Sequence, residues 1–256
     1  MGLLFTMKTV EIFGVRISAV DTATALATIE EFIRNRTPQM VVTADSSCVV
    51  LAQRDLELRR IINQADLVTP DSTGILWAAK RFGTPLPERV PGVDIVEFLC
   101  DRAARSGYRV FLLGAAPGVA EAAAEKLSEK YPGLEVAGTH HGFFAPEESP
   151  EVVQKIQESK PDILFVALGI PLQEKWIYRH LKELQVPVSM GVGGTFDVIS
   201  GRVKRAPKWM QKHGLEWFFR LANSPRKIRK VLNLPVFVLM VLKASTAKAG
   251  AGVSDG

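Results

Sequence analysis

Short β-branched apolar runs alternate with longer amphipathic stretches along most of the chain. Residues 9–17 (Thr-Val-Glu-Ile-Phe-Gly-Val-Arg-Ile) read as a strand pair bent at Gly14. Residues 22–35 space their apolar positions as a helix does, with Asp21 where an N-cap belongs. The run Met40-Val-Val-Thr-Ala44 predicts a buried strand, and residues 49–64 a single helix after it. Residues 67–69 predict a short strand, 74–82 and 93–106 two helices. Residues 109–113 predict a strand that ends in Gly114-Ala-Ala-Pro-Gly118, with a helix running on to Lys130. Further strands fall at 134–139, 163–168 and 186–191, with helices at 150–159 and 171–184 between them.

Strands alternating with helices imply an α/β fold: a Rossmann-like, mostly parallel sheet with helices on both faces. In such open sheets ligands bind beyond the carboxyl ends of the strands. Chemistry is therefore expected in the loops at 43–47, 69–74, 114–118, 142, 169–173 and 191–195. The composition changes near Gly201, which predicts a sheet domain over 1–201 and an appendage after it.

Charge sharpens that boundary. Between Arg202 and Lys230 stand ten Lys/Arg and one acid, Glu216, a net +9, whereas the whole chain is only +5. The remainder is therefore mildly acidic, at −4. Trp209, Trp217, Phe218 and Phe219 lie in the same stretch. A basic, aromatic arm suits something anionic: a lipid surface, a nucleic acid or a phosphorylated substrate. The apolar run that follows, Leu234-Pro-Val-Phe-Val-Leu-Met-Val-Leu242, is too short to span a bilayer but long enough to lie in its interface. The aromatics adjoin this run, which favours lipid over nucleic acid. Residues 202–243 thus read as a basic, amphipathic, membrane-associating appendage, and the small, polar residues 244–256 as a disordered tail. The N-terminus has no export signal, and Cys48 and Cys100 fit two free thiols in a reducing compartment.

Several loop residues could carry chemistry, each with a plainer alternative. Asp71, at a strand end, is either a general base or an N-cap aspartate. Thr43 and Asp45 end another strand and face the same crevice, or serve turn chemistry. Arg89, in Pro87-Glu-Arg-Val-Pro-Gly92, could grip a phosphate in two-pronged fashion or pair with Glu88 or Asp94. Gln173 could hydrogen-bond a sugar or cap a first turn. Gly114 and Gly118 could admit a phosphate at a helix N-terminus or form a tight turn; the glycine turns at Gly169 and Gly191 have the same two readings. His140 and His141 have no partner at ligand spacing and read as turn residues, so no metal site is expected.

The motifs occur in a specific order. Val41-Val-Thr-Ala-Asp45, Ala65-Asp-Leu-Val-Thr-Pro-Asp71-Ser-Thr-Gly74, Glu88-Arg-Val-Pro-Gly-Val-Asp94 and Phe111-Leu-Leu-Gly114 come first. Gly169-Ile-Pro-Leu-Gln-Glu174, Gly191-Val-Gly-Gly-Thr-Phe-Asp197, Arg205-Ala-Pro-Lys-Trp209 and Glu216-Trp-Phe-Phe-Arg220-Leu follow. Together they resemble the WecG/TagA/CpsF glycosyltransferase family over about residues 8–240. The resemblance implies inverting transfer of a sugar, typically of the N-acetylmannosamine type, from a UDP donor to a polyprenyl-diphosphate-linked sugar, with no cofactor or metal. It implies a cytoplasmic protein, peripheral on the inner face of the bacterial membrane, acting in teichoic-acid-type or other cell-surface polysaccharide synthesis. It makes Asp71 the base, Thr43, Arg89, Gln173 and Arg220 substrate-binding residues, and brings the appendage to both membrane and substrate.

Four departures from the family pattern stand out. Asp45 replaces the usual Asn, placing an extra carboxylate near Asp71. Ser72 and Thr73 stand where a Gly and a small residue are usual. Ser224 replaces a Glu, and Lys227 and Lys230 replace two arginines, keeping charge without the planar fork. Rival readings are a UDP-hexose or hexuronate transferase for exopolysaccharide, and a non-catalytic nucleotide-binding protein associated with membrane or nucleic acid. Assembly as a monomer, homodimer or larger homo-oligomer is left open.

Overall fold

The computed structural model describes residues 7–207, 209, 210, 216, 218, 219 and 228–251, with the side chains of 228–232 and 247–251 excepted. The chain starts with an antiparallel hairpin, β1 (Thr9–Ile12) and β2 (Val15–Ser18), bent where Phe13 and Gly14 adopt positive φ. Helix α1 (Thr22–Asn35) starts at Asp21, whose carboxylate accepts from the Thr24 N–H at 2.7 Å.

Six further strands form one sheet: β3 (Gln39–Ala44), β4 (Leu67–Pro70), β5 (Arg109–Gly114), β6 (Glu135–His140), β7 (Ile163–Ala167) and β8 (Val188–Gly191). Their order is β4-β3-β8-β7-β5-β6 and every pairing is parallel. The interiors of the strands other than the edge strand β6 are buried on both faces, hence their continuous apolar runs.

The single helix expected over 49–64 is two. Helix α2 (Ser46–Ala52) ends, and Asp55 takes an extended backbone and caps α3 (Leu56–Gln64) by accepting from Leu58 N–H at 3.0 Å. Helices α4 (Thr73–Arg81) and α5 (Gly92–Ser106) follow β4, and α6 (Val119–Lys130) follows β5. Helices α7 (Ser149–Ser159), α8 (Leu172–Leu184) and α9 (Thr195–Ile199) complete the sheet domain.

Two apolar clusters sandwich the sheet. One joins the hairpin with α2, α3, α4, α7 and α8, through residues such as Cys48, Ile62, Ile75, Ile156 and Ile177. The other joins α1, α5, α6 and α9, through Ile29, Leu99, Leu127 and Phe196. β3 therefore sends the chain to one face and β8, its neighbour, sends it to the other. That reversal opens a crevice at the carboxyl ends of the two strands, the favoured ligand position in doubly wound sheets.

The last helix, α10 (Ile228–Ala251), lies on α2 and α4. Phe237 and Val241 are fully buried, and Phe237 meets the Phe13 ring edge-on at 6.3 Å. Val236, Leu239 and Leu242 face outward. The apolar run expected to lie in a lipid interface is thus divided, one stripe packed on the domain and one left on the surface. The helical backbone continues through 244–251, where a disordered tail is expected.

Candidate active site

The crevice is built from three neighbouring strand ends. Thr43, buried near the end of β3, donates its hydroxyl to the Gly191 carbonyl at the end of β8, 2.9 Å away. Its methyl lies against Gly92, where an added Cβ would stand 3.0 Å from Cγ2. The threonine therefore ties two strands together and supports the start of α5.

Asp71 follows β4. Its N–H donates to Ala44 O at 2.9 Å, continuing the ladder one residue past the strand. The expectation that Asp71 caps α4 is not met. Ser72 is the N-cap, its hydroxyl accepting from Ile75 N–H at 3.4 Å and from Ser46 N–H at 3.2 Å. The Asp71 carboxylate turns instead toward α5, where Oδ1 accepts from Gly92 N–H at 3.2 Å. A partly exposed carboxylate at the mouth of the crevice, beside the N-terminus of α5, can take a proton from a bound hydroxyl.

Asp45 behaves otherwise. It is the N-cap of α2, accepting from Cys48 N–H at 2.7 Å, so its turn reading holds. The hydroxyls of Ser46 and Ser72 meet at 3.2 Å and bind the two turns together. Gly74 packs closely there: a Cβ would come within 2.3 Å of Ser46 Oγ, so the hydroxyl would have to move.

Arg89 is held on two sides. Its Nε donates to the Asp71 carbonyl at 2.8 Å, and Nη2 donates to the carboxylate of Glu216 in the appendage. The expected partners are otherwise engaged: Glu88 accepts from Thr22 N–H at 2.6 Å, and Asp94 pairs with Arg205 at 2.7 Å. Among the described residues the hydrogen bonds of Arg89 run through Nε and Nη2.

Gln173 is only 1 % exposed, which places its amide beneath the crevice. Its Oε1 accepts from Gly169 N–H at 3.1 Å and Gly193 N–H at 3.0 Å, while Nε2 donates to the fully buried Glu174 at 2.8 Å. It pins the β7–α8 and β8–α9 loops to each other. Gly191 packs on this amide, and a Cβ there would stand 2.7 Å from Nε2.

Of the remaining glycines, Gly114 is pressed on β7: its φ is +129°, and a Cβ would come within 2.5 Å of the Ala167 carbonyl group. Gly169 turns out of β7 with φ +81°. Gly118 alone of these positions is exposed, at the N-cap of α6 with φ +82°. His140 and His141 bond locally: His140 Nδ1 lies 2.8 Å from His141 O, and Phe143 N–H donates to His141 Nδ1 at 3.3 Å. Among the described residues no group of three or more His, Cys, Asp or Glu could hold a metal ion. Both cysteines are free and buried. Burial pushes the Cys48 thiol well up, with Glu174 and Asp45 adding to it; burial and then Glu97 push Cys100 to about 12. Arg220, Ser224 and Lys227 lie outside the described residues, as do the side chains of Arg229 and Lys230.

The structure therefore brings Thr43, Asp71, Arg89 and Gly191 to one crevice, sets Asp45 at its edge as a cap and Gln173 below it, and leaves Gly114 and Gly118 at the β5 end. Residue-level reading missed Ser72 as the cap and Glu216 as the partner of Arg89. The signal for Glu216 is its place as the single acid of a +9 segment.

A doubly wound α/β domain with a carboxylate and a guanidinium at its switch point is the framework of a nucleotide- or sugar-handling protein. The comparisons narrow the class. The model of the family described as "Glycosyl transferase WecG/TagA/CpsF family" matches residues 10–250. The chain belongs to that family. It is 37% identical over 209 residues to the N-acetylglucosaminyldiphosphoundecaprenol N-acetyl-beta-D-mannosaminyltransferase of Bacillus spizizenii, covering 82% of this chain and 80% of that one. It is 34% identical over 237 residues to the protein of the same name from Staphylococcus aureus, covering 92% of each.

Proposed function

We infer that the protein is an inverting glycosyltransferase that moves N-acetylmannosamine from a UDP-sugar to N-acetylglucosaminyl-diphosphoundecaprenol. The reading places it at the cytoplasmic face of a bacterial membrane, in teichoic-acid-type polymer synthesis. The names of its relatives support the sugar and the acceptor. The observation that carries the chemistry is the Asp71 carboxylate, released from capping its own helix and set at the β3–β8 crevice.

The step is a single displacement. Asp71 takes the proton of the acceptor hydroxyl as its oxygen attacks the anomeric carbon. The bond from that carbon to the diphosphate oxygen breaks, and its electron pair leaves with UDP. Negative charge grows on the diphosphate, where Arg89 Nη1 and the N–H groups of the glycine loops can stabilise it. Thr43 and Gln173 fix the loops that shape the pocket, and Arg220 is the further substrate-binding residue that the reading assigns to the arm.

Membrane attachment rests on α10. Among the described residues no helix is long and apolar enough to cross a membrane. Val236, Leu239 and Leu242 form an outward apolar stripe beside the basic arm, the pattern of an interfacial helix. A screen of UDP-sugars with a short-chain N-acetylglucosaminyl-diphosphate lipid, read by mass spectrometry, tests the reading. Product is expected with UDP-N-acetylmannosamine; turnover confined to a UDP-hexose or hexuronate would replace the donor, and no transfer from any donor would refute the activity.

A further inference from the structure

The arm and the crevice meet through two ion pairs of opposite polarity. Arg205 of the arm reaches Asp94 in the first turn of α5, and Glu216 of the arm is reached by Arg89. Arg89 and Asp94 flank the start of the same helix. The two contacts differ in what lies behind them. Among the described residues the Asp94 carboxylate pairs with Arg205, whereas Arg89 also holds the backbone of Asp71.

The strap from Arg89 to Gly92 wraps round Asp71. Val90 N–H donates to Pro70 O at 2.8 Å, Arg89 Nε to Asp71 O at 2.8 Å, and Gly92 N–H to Asp71 Oδ1 at 3.2 Å. The guanidinium is the one side-chain donor in this set. Left to itself an arginine has many rotamers, and ordering it is entropically costly. Glu216 removes that freedom. The pair is mostly withdrawn from water, with side-chain exposures of 18% for Arg89 and 17% for Glu216, so its attraction is screened little. With Nε and Nη2 engaged, the plane of the fork is set.

We propose that Glu216 is a positioning residue for the transfer reaction: it orients Arg89, and through Arg89 the turn that carries Asp71. The inference rests on reading Asp71 as the base and Arg89 as a diphosphate ligand. Its consequence is that the docked arm acts on turnover itself and not only on attachment to lipid. The arm's single acid is then its point of contact with the chemistry.

The test uses the full chain with a water-soluble short-chain acceptor, so that membrane binding does not limit the rate. Four variants are compared: Glu216→Gln, Glu216→Asp, Arg205→Gln and Asp71→Asn. Glu216→Gln is expected to lower kcat about tenfold or more, the scale of one charge-assisted hydrogen bond. The acceptor KM and co-sedimentation with phosphatidylglycerol vesicles are expected to stay within about twofold. Glu216→Asp should recover part of kcat, because the charge is kept. Arg205→Gln breaks the other contact of the same arm and should change kcat by less than about threefold. Wild-type kcat in Glu216→Gln overturns the proposal. Equal losses in Glu216→Gln and Arg205→Gln also overturn it, since Glu216 would then only dock the arm. Full turnover by Asp71→Asn would instead remove the base on which the proposal is built, a failure distinguishable from the other two.

Discussion

The turns after β3 and β4 begin alike and end differently. The last paired residues of the two strands are Ala44 and Pro70, and an aspartate follows each. Asp45 folds back onto its own helix and caps α2. Asp71 has Ser72 beside it; the serine takes the cap, and the Asp71 carboxylate turns to α5, where it accepts from Gly92 N–H. One neighbouring hydroxyl thus separates a carboxylate that caps its own helix from one that turns toward the crevice. A residue type at a strand end does not define a role; what satisfies the next helix's first N–H groups does.

Alanine variants break the comparison most strongly. Asp71→Ala should lower kcat by roughly 10²- to 10⁴-fold, the usual worth of a general base, with a melting temperature near that of the parent. Asp45→Ala should do the opposite in kind. It removes an N-cap worth about 1 kcal/mol, lowering the melting temperature by about 2–4 °C with turnover within about tenfold. Calorimetry and a transfer assay on both variants decide whether the two turns divide these roles.

Thr43→Val comes next. The shape is kept, but the Gly191 carbonyl loses its buried donor, a cost of about 1–3 kcal/mol. A loss in denaturant midpoint is expected; unchanged stability would show that the β3–β8 tie is slack. Asp45→Asn sharpens the comparison at smaller scale. Asn caps as well as Asp, so stability should stay within about 0.5 kcal/mol. A fall of a hundredfold in turnover at unchanged stability would place the Asp45 charge in the chemistry after all.

The smallest effect is read at Cys48, one turn into α2. Its thiol is buried and pushed well up, first by burial and then by Glu174 and Asp45, so near pH 8 it is protonated and a poor nucleophile. Native protein should show no fast-reacting thiol toward a disulfide reagent. Asp45→Ala should label Cys48 faster as the helix start frays, and Asp71→Asn should not.

Most of the sheet domain was legible in the chain because its strands are continuous apolar runs and its helices carry readable starts such as Asp21. The break in residues 49–64 was not, since Gln53 and Arg54 continue the amphipathic pattern and only the backbone at Asp55 interrupts it. At the site, Thr43, Asp71 and Gly191 were readable as strand-end residues, whereas Arg89 lies in a Pro/Gly loop, and its bond to the Asp71 carbonyl was not readable from the chain. The choice between cap and base was not, because Asp71 and Ser72 are both capable caps and only their hydrogen bonds separate them. Gln173 read as a sugar ligand or a first-turn cap; its role between two loops distant in sequence, both donating to one oxygen, was not readable. The apolar run after the basic arm was visible, but a linear reading could not divide the buried Phe237 and Val241 from the outward Leu239 and Leu242.

The most direct test of Asp71 as the base separates binding from turnover in a single variant. Asp71→Asn keeps the size and polarity of the side chain and removes its basicity. Its dissociation constant for UDP, measured by titration calorimetry, is expected to stay within about threefold of the parent. Its transfer of N-acetylmannosamine to the lipid-diphosphate acceptor is expected to fall at least about a hundredfold. Transfer near the parental rate, or a loss of UDP binding large enough to explain the lost transfer, would contradict the role assigned to Asp71.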